Sequence, residues 1–148
     1  MHNDLWRFAC DVYMRPGVEA ACMAAQANGQ DVCLVLCGLW LEQRKVAWSP
    51  ERAHTLENIA LPWTHEVIRP LRALRQQWRS AAQTDDELAP IREGIKRLEL
   101  NAERTLLARL QATAQTWPEG ETDQLQWLSS TVPSPAIQVA MRAALGLT

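Results

Sequence analysis

The chain has 148 residues, 47% of them hydrophobic and 22% charged, with a formal net charge of −2. That length suits one domain burying roughly 70% of its unfolded surface, and the apolar content excludes global disorder. The sequence pI near 5.9 argues against a dedicated nucleic-acid binder.

Apolar residues recur at spacings of three and four, and helix caps punctuate them, so every element reads as a helix. A first helix is predicted from about Asp4 to Met14, with Leu5, Trp6, Phe8 and Val12 inward, stopped by Pro16-Gly17. A second, alanine-rich helix runs from Val18 to Ala27 and ends at Gly29, which suits a left-handed terminal position. Asp31 caps a third, from Val32 to Lys45. Its first ten residues are apolar on all sides, which makes it the central buried helix. Ten residues are too few to span a bilayer.

Ser49-Pro50-Glu51-Arg52 opens a short fourth helix that should end before Leu61-Pro62. A fifth is predicted over Trp63–Gln83, kinked or restarted at Pro70. Thr84-Asp85-Asp86-Glu87 reads as a capping box before a long helix to about Trp117, bent near Pro90. That helix should turn Leu88, Ile91, Ile95, Leu98, Ala102, Leu106 and Leu110 inward. A less regular connection over 118–134 holds a short helix at Asp123–Ser129, and Ser134-Pro135 opens the last helix, stopped by Gly146. The expectation is a single all-α domain over 1–148, a compact bundle of about seven helices.

Charge is unevenly distributed. Residues 1–43 carry a net −3, residues 44–84 a net +4 and the remainder a net −3. The basic centre comes from one stripe. At about 100° per residue, His65, Arg69, Arg72, Arg75 and Arg79 fall on one side of the Trp63–Gln83 helix. Val67, Ile68, Leu71, Leu74, Trp78 and Ala81 fall on the other. Guanidinium is a planar fork that grips carboxylate or phosphate in two places, and this ridge is about 15 Å long. Either it binds an acidic macromolecular partner or it pairs internally, with Glu93, Glu99 and Glu103 as candidates.

No other constellation carries chemistry. Asp85-Asp86-Glu87 points three ways around a helix and suits a cap better than a metal. The serines have no glycine-rich elbow, and the glycines are isolated, with no phosphate loop. His2, His54 and His65 are separately placed, and no general base stands out. Cys33 and Cys37 share a helix face, but structural zinc takes four ligands at tighter, turn-borne spacings. Cys10, Cys22, Cys33 and Cys37 read as buried apolar residues or free thiols, with no disulfide framework, metal or cofactor expected. Charges at Asp4, Arg7 and Asp11 disagree with a secretory signal, so the expected compartment is the cytoplasm. Seven tryptophans beside one tyrosine and one phenylalanine fill either a core or an aromatic-lined groove. Trp6, Trp40, Trp63 and Trp78 are the candidates for a pocket.

Leu5-Trp6-Arg7-Phe8, Tyr13, Pro16-Gly17-Val18-Glu19, Asp31-Val32 and Leu39-Trp40-Leu41 fall in an order that resembles a small family of bacterial proteins, domain of unknown function 2390. Pro70 to Arg75 and Ile95 to Arg104 resemble its later stretches, so the likeness spans roughly 4–110. The position after Asp31-Val32, polar in that family, is Cys33 here. The resemblance implies a cytoplasmic helical protein and gives no activity or catalytic residue. A loose association with genes for a translation-linked ATPase would suit a ribonucleoprotein-associated partner.

Two functions follow as expectations. The first is a non-enzymatic adaptor or regulatory protein that binds an acidic macromolecular partner through Arg69, Arg72, Arg75, Arg79 and His65. The second is a small-molecule (anionic amphiphile) binder or an enzyme, with an apolar pocket between helices lined by tryptophan, Met23 and cysteine and an arginine gripping an anionic head group. A homodimer is a third possibility, and no membrane association is expected.

Overall fold

The computed structural model describes residues 4–147; His2 lies outside them. The helices are α1 (Leu5–Tyr13), α2 (Val18–Ala27), α3 (Val32–Gln43), α4 (Pro50–Trp63), α5 (Arg69–Gln77), α6 (Leu88–Ala114), α7 (Trp127–Thr131) and α8 (Pro135–Ala144). A π turn, Thr64–Ile68, joins α4 to α5 without a break, so these make seven helical rods. No strand occurs among the described residues, and none of their helices is long and apolar enough to cross a membrane.

Helix α3 is the axis of the bundle. Every residue from Cys33 to Glu42 is buried, because α1, α2, α4, α6 and α7 surround it. Full burial of each large aliphatic side chain there contributes about 1.5–3 kcal/mol. Asp31 starts the helix, its Oδ1 accepting from the Leu34 amide at 3.2 Å. Lys45 ends it with φ +57°, where a glycine would be unstrained. The strain is held by two bonds, Lys45 N–H to the Glu42 carbonyl and Val46 N–H to the Leu41 carbonyl, both at 3.0 Å.

Glu42 is the exception in this apolar rod, and the sequence reading did not foresee it as buried. Its side chain has no exposed surface. Its oxygens accept from Arg142 Nε at 2.8 Å, Arg142 Nη2 at 2.9 Å and the Leu128 amide at 2.6 Å. One carboxylate therefore ties α7 and α8 to α3. The 118–134 connection docks on the same end, with the Gly120 and Glu121 amides donating to the Arg44 and Lys45 carbonyls.

The expected break at Leu61-Pro62 is absent. Pro62 is exposed and α4 continues through it. The adjustment comes later. Pro70 lacks an N–H, and its ring crowds the carbonyl four residues back. The π turn widens the rod just there, with Arg69 N–H reaching the Thr64 carbonyl five residues back. Helix α5 also stops at Gln77 rather than Gln83, and a 3₁₀ turn (Ala81–Gln83) follows. At the start of α6 the cap is Asp85 rather than Thr84. Its Oδ1 accepts from the Glu87 and Leu88 amides at 3.0 and 3.1 Å. Pro90 falls in the first turn, where its missing N–H is no loss.

The long helix ends at Ala114, short of Trp117, and its buried stripe differs from the predicted one. Ile91 and Leu98 are exposed, whereas Glu99, Ala102, Leu106, Leu107, Leu110 and Ala114 are buried. The reason is that α6 changes partners along its length. Its first half pairs with α5, and the second packs on α1, α3 and α4. The short helix lies at Trp127–Thr131, later than Asp123–Ser129. There Trp127 stacks on Trp117 at 5.8 Å between centroids and donates Nε1–H to the Val46 carbonyl.

Candidate functional site

A groove of about 460 Å³ runs between α1, α2 and α6, with the start of α3 as its floor. Trp6, Ala9 and Tyr13 from α1 face Leu100 and Leu107 from α6, and Met14 and Met23 form the rim. Met14, Met23 and Leu100 are 84, 60 and 53% exposed. These apolar side chains lie exposed together at the mouth of one concavity. Methionine suits such a rim because its unbranched side chain adapts to different shapes.

The far end of the groove is polar. Helix α5 sends Arg72 and Arg75 toward Glu99 on α6. Arg75 grips it with Nε at 2.5 Å and Nη2 at 3.3 Å, and Arg72 Nε lies at 3.0 Å. The Glu99 side chain is 8% exposed, against 18% for Arg72 and 29% for Arg75. With its amide turned to face the guanidinium, Gln26 of α2 accepts from Arg72 Nε at 2.7 Å. Arg92 donates to the Arg75 carbonyl at 2.9 Å and steadies that turn of α5.

Behind Arg72 lies a second, smaller chamber of about 40 Å³, enough for water. The π turn supplies one wall through Thr64 and Ile68, and Asp31, Gln30 and Arg69 supply others. Thr64 donates its hydroxyl to Asp31 Oδ2. Gln30 Oε1 is buried there without a hydrogen-bond partner.

Glu103 lines both cavities. Burial, and then the charge of Glu99, push its carboxyl up to about 7, against the opposing pull of Arg72 and Arg75. The thiols in the wall are held protonated. Burial raises Cys22 to about 11 and puts Cys33 well above the ordinary thiol value. Burial also raises Cys10, which is exposed at the groove, and Tyr13. None of these groups is activated as a nucleophile. Among the described residues no three His, Cys, Asp or Glu side chains are placed to hold a metal.

The predicted site residues thus separate. Arg72 and Arg75, read either as part of an outward ridge or as paired internally, take the internal alternative and bind Glu99, which lies one helix away at the same height. Arg69 borders the chamber with its surface exposed, Arg79 is exposed near Asp86 and Glu93, and His65 is exposed on the π turn. Of the four tryptophans, only Trp6 lines the groove, with the Arg104 guanidinium 5.1 Å from its ring centre. Trp40 is 1% exposed within the core, because α3 is surrounded on all sides. Trp63 donates to the Ala102 carbonyl at 2.9 Å and so faces α6 from outside the groove. Trp78 is half-buried at the C-terminus of α5. Sequence reasoning missed Tyr13 and Met14, and it named Glu103 as a possible arginine partner without foreseeing its raised carboxyl. The available signal was Glu99 and Glu103 four apart on the side of α6 that carries Ala102 and Leu106.

The fold and site define the class: an all-α protein with an apolar inter-helix groove lined at one end by an arginine–glutamate cluster. The chain belongs to the family described as protein of unknown function, DUF2390, whose sequence profile matches residues 4–110. That span holds every residue of the groove and the chamber, while α7 and α8 lie beyond it. No curated protein and no solved structure matches the chain.

Proposed function

We propose that the protein binds a small amphiphile, an aliphatic chain with an anionic head group, in the groove between α1, α2 and α6. The observation that carries this reading is the convergence of Arg72 and Arg75 at one end of an apolar groove. Ligand sites are typically 300–1,000 Å³, mostly apolar, with a few oriented polar groups, and about 460 Å³ falls within that range. Glu99 neutralises one guanidinium. With Glu103 protonated, one positive charge is left over at the groove end, and it favours an anion. Each buried methylene contributes about 0.8 kcal/mol, so chain length dominates affinity and the head group sets orientation.

Titration with octanoate, decanoate, decanol and decylamine, followed through Trp6 fluorescence with Trp6→Phe as control, tests the reading. Decanoate should saturate the site and bind about fifteenfold more tightly than octanoate, from two methylenes. Decylamine should bind least. Failure of all four to saturate the protein would refute it.

A second reading keeps the adaptor role, in the cytoplasm, for a different surface. Helix α5 buries no residue fully and α6 none before Glu99, so residues 69–98 make a two-helix arm at the edge of the core, which it touches through half-buried Leu71. The arm leaves Arg69, Arg79 and Arg97 exposed. An acidic protein or ribonucleoprotein-associated partner on that arm would be captured at low salt and lost at high salt. Arg69→Glu with Arg79→Glu should abolish capture and leave decanoate binding intact. Light scattering on the same sample tests the homodimer.

A further inference from the structure

Glu103 stands where groove and chamber share a wall, together with Gln26, Cys33 and Arg72. Its surroundings are unequal. Glu99, one turn earlier on α6, takes Nε of both arginines. Glu103 forms no ion pair among the described residues, although it reaches the groove end where a head group would rest. The charged or titratable groups facing it are Arg72 and Arg75 from α5, Glu99 from its own helix, Asp31 and Cys33 from the start of α3, and Tyr13 from α1.

An ionised Glu103 beside Glu99 would set two carboxylates against an incoming anion. A protonated Glu103 removes that repulsion and adds a donor. We propose that the groove takes up a proton with its ligand: Glu103, as the carboxylic acid, donates its O–H to the anionic head group while Arg72 flanks it. The proton comes from solvent, and no covalent bond forms or breaks. The inference rests on the amphiphile reading above. Its physical basis is the burial that already holds the carboxyl at about 7, which an added anion would raise further. The chamber on the other side of Glu103 is large enough for water, so the carboxyl borders a second cavity besides the groove.

The test is isothermal titration of the full chain with decyl sulfate, whose head group does not itself titrate in this range. It is run from about pH 6 to about pH 8.5 in buffers of different ionisation enthalpy, which count protons directly. About half a proton should be taken up per ligand near pH 7, rising toward one near pH 8.5. Affinity should fall toward tenfold per pH unit above 7. Glu103→Gln keeps a donor and loses the titration. Its affinity should be flat with pH, and above that of the unsubstituted chain at the alkaline end. Tight binding with no proton uptake, or a pH slope that Glu103→Gln retains, overturns the proton coupling alone. Failure of both decyl sulfate and decanoate to bind at any pH overturns the groove reading, and this inference with it.

Discussion

Glu99→Gln separates the structural role of the groove end from its binding role. In the folded chain the Glu99 carboxylate is 8% exposed and holds two guanidiniums that are 18 and 29% exposed, at 3.0 and 2.5 Å. Removing one member of a fully buried pair costs about 3–5 kcal/mol, because the other is left uncompensated. Here both arginines retain some water, and glutamine keeps one acceptor oxygen of nearly the same shape. The expected loss is therefore about 2 kcal/mol, a fall of about 4–8 °C in Tm for a domain of this size. The same change frees two cations at the end of an apolar groove, so decyl sulfate should bind about tenfold more tightly. Saturating ligand should then recover much of the lost Tm. Thermal unfolding by circular dichroism, with and without decyl sulfate, reads both effects. A variant that melts with the unsubstituted chain and binds no better would mean that Glu99 contributes nothing to either.

Four other outcomes are expected. Glu42→Ala leaves the Leu128 amide without its acceptor and Arg142 with neutral acceptors only, the Leu125 carbonyl and Gln138, and should cost about 3 kcal/mol; hydrogen exchange should show α7 and α8 opening first. Gly38→Ala should be neutral or stabilise by up to about 1 kcal/mol. A Cβ there meets Trp127 only at 3.5 Å, an ordinary contact, so a large loss of denaturant stability would contradict the packing. Thiol titration of the native chain near neutral pH should modify Cys10 first and slowly, since Cys22, Cys33 and Cys37 are buried and Cys37 is raised to about 12; fast labelling of a buried thiol would argue against the fold. The Glu103 carboxyl holds its proton more tightly folded than unfolded, so its contribution to stability is lost as pH rises from 4.5 to about 7. Glu103→Gln should remove that loss, worth at most about 3 kcal/mol, and a melting profile with the same pH slope would refute the assignment.

Much of the helical layout was legible because it is written in local signals. Asp31 and Ser49 act as N-caps, and Gly29 and Gly146 take the left-handed stops the sequence suggested. The unbroken apolar run of α3 could only be satisfied by burial on every side, and it is the centre of the bundle. Local signals failed where neighbours decided. Pro62 read as a break and Pro70 as a kink or restart; α4 instead continues through Pro62, and the π turn absorbs the misfit before Pro70 without interrupting the rod. The α6 stripe was assigned to one face, although the helix serves α5 with its first half and the core with its second.

The candidate site divides in the same way. Four arginines on one side of a helix are a property of spacing, and the sequence by itself determined them. Whether that side meets solvent or a glutamate depends on what another helix presents at the same height. Only the tertiary structure could place Glu99 between Arg72 and Arg75, leave Glu103 beside it without an ion pair among the described residues, and set Trp6 and Met23 across from Leu100. Intrahelical spacing is fixed by the backbone's own geometry. Contacts between helices are fixed by the packing of the whole core, in which residues distant along the chain compete for the same space.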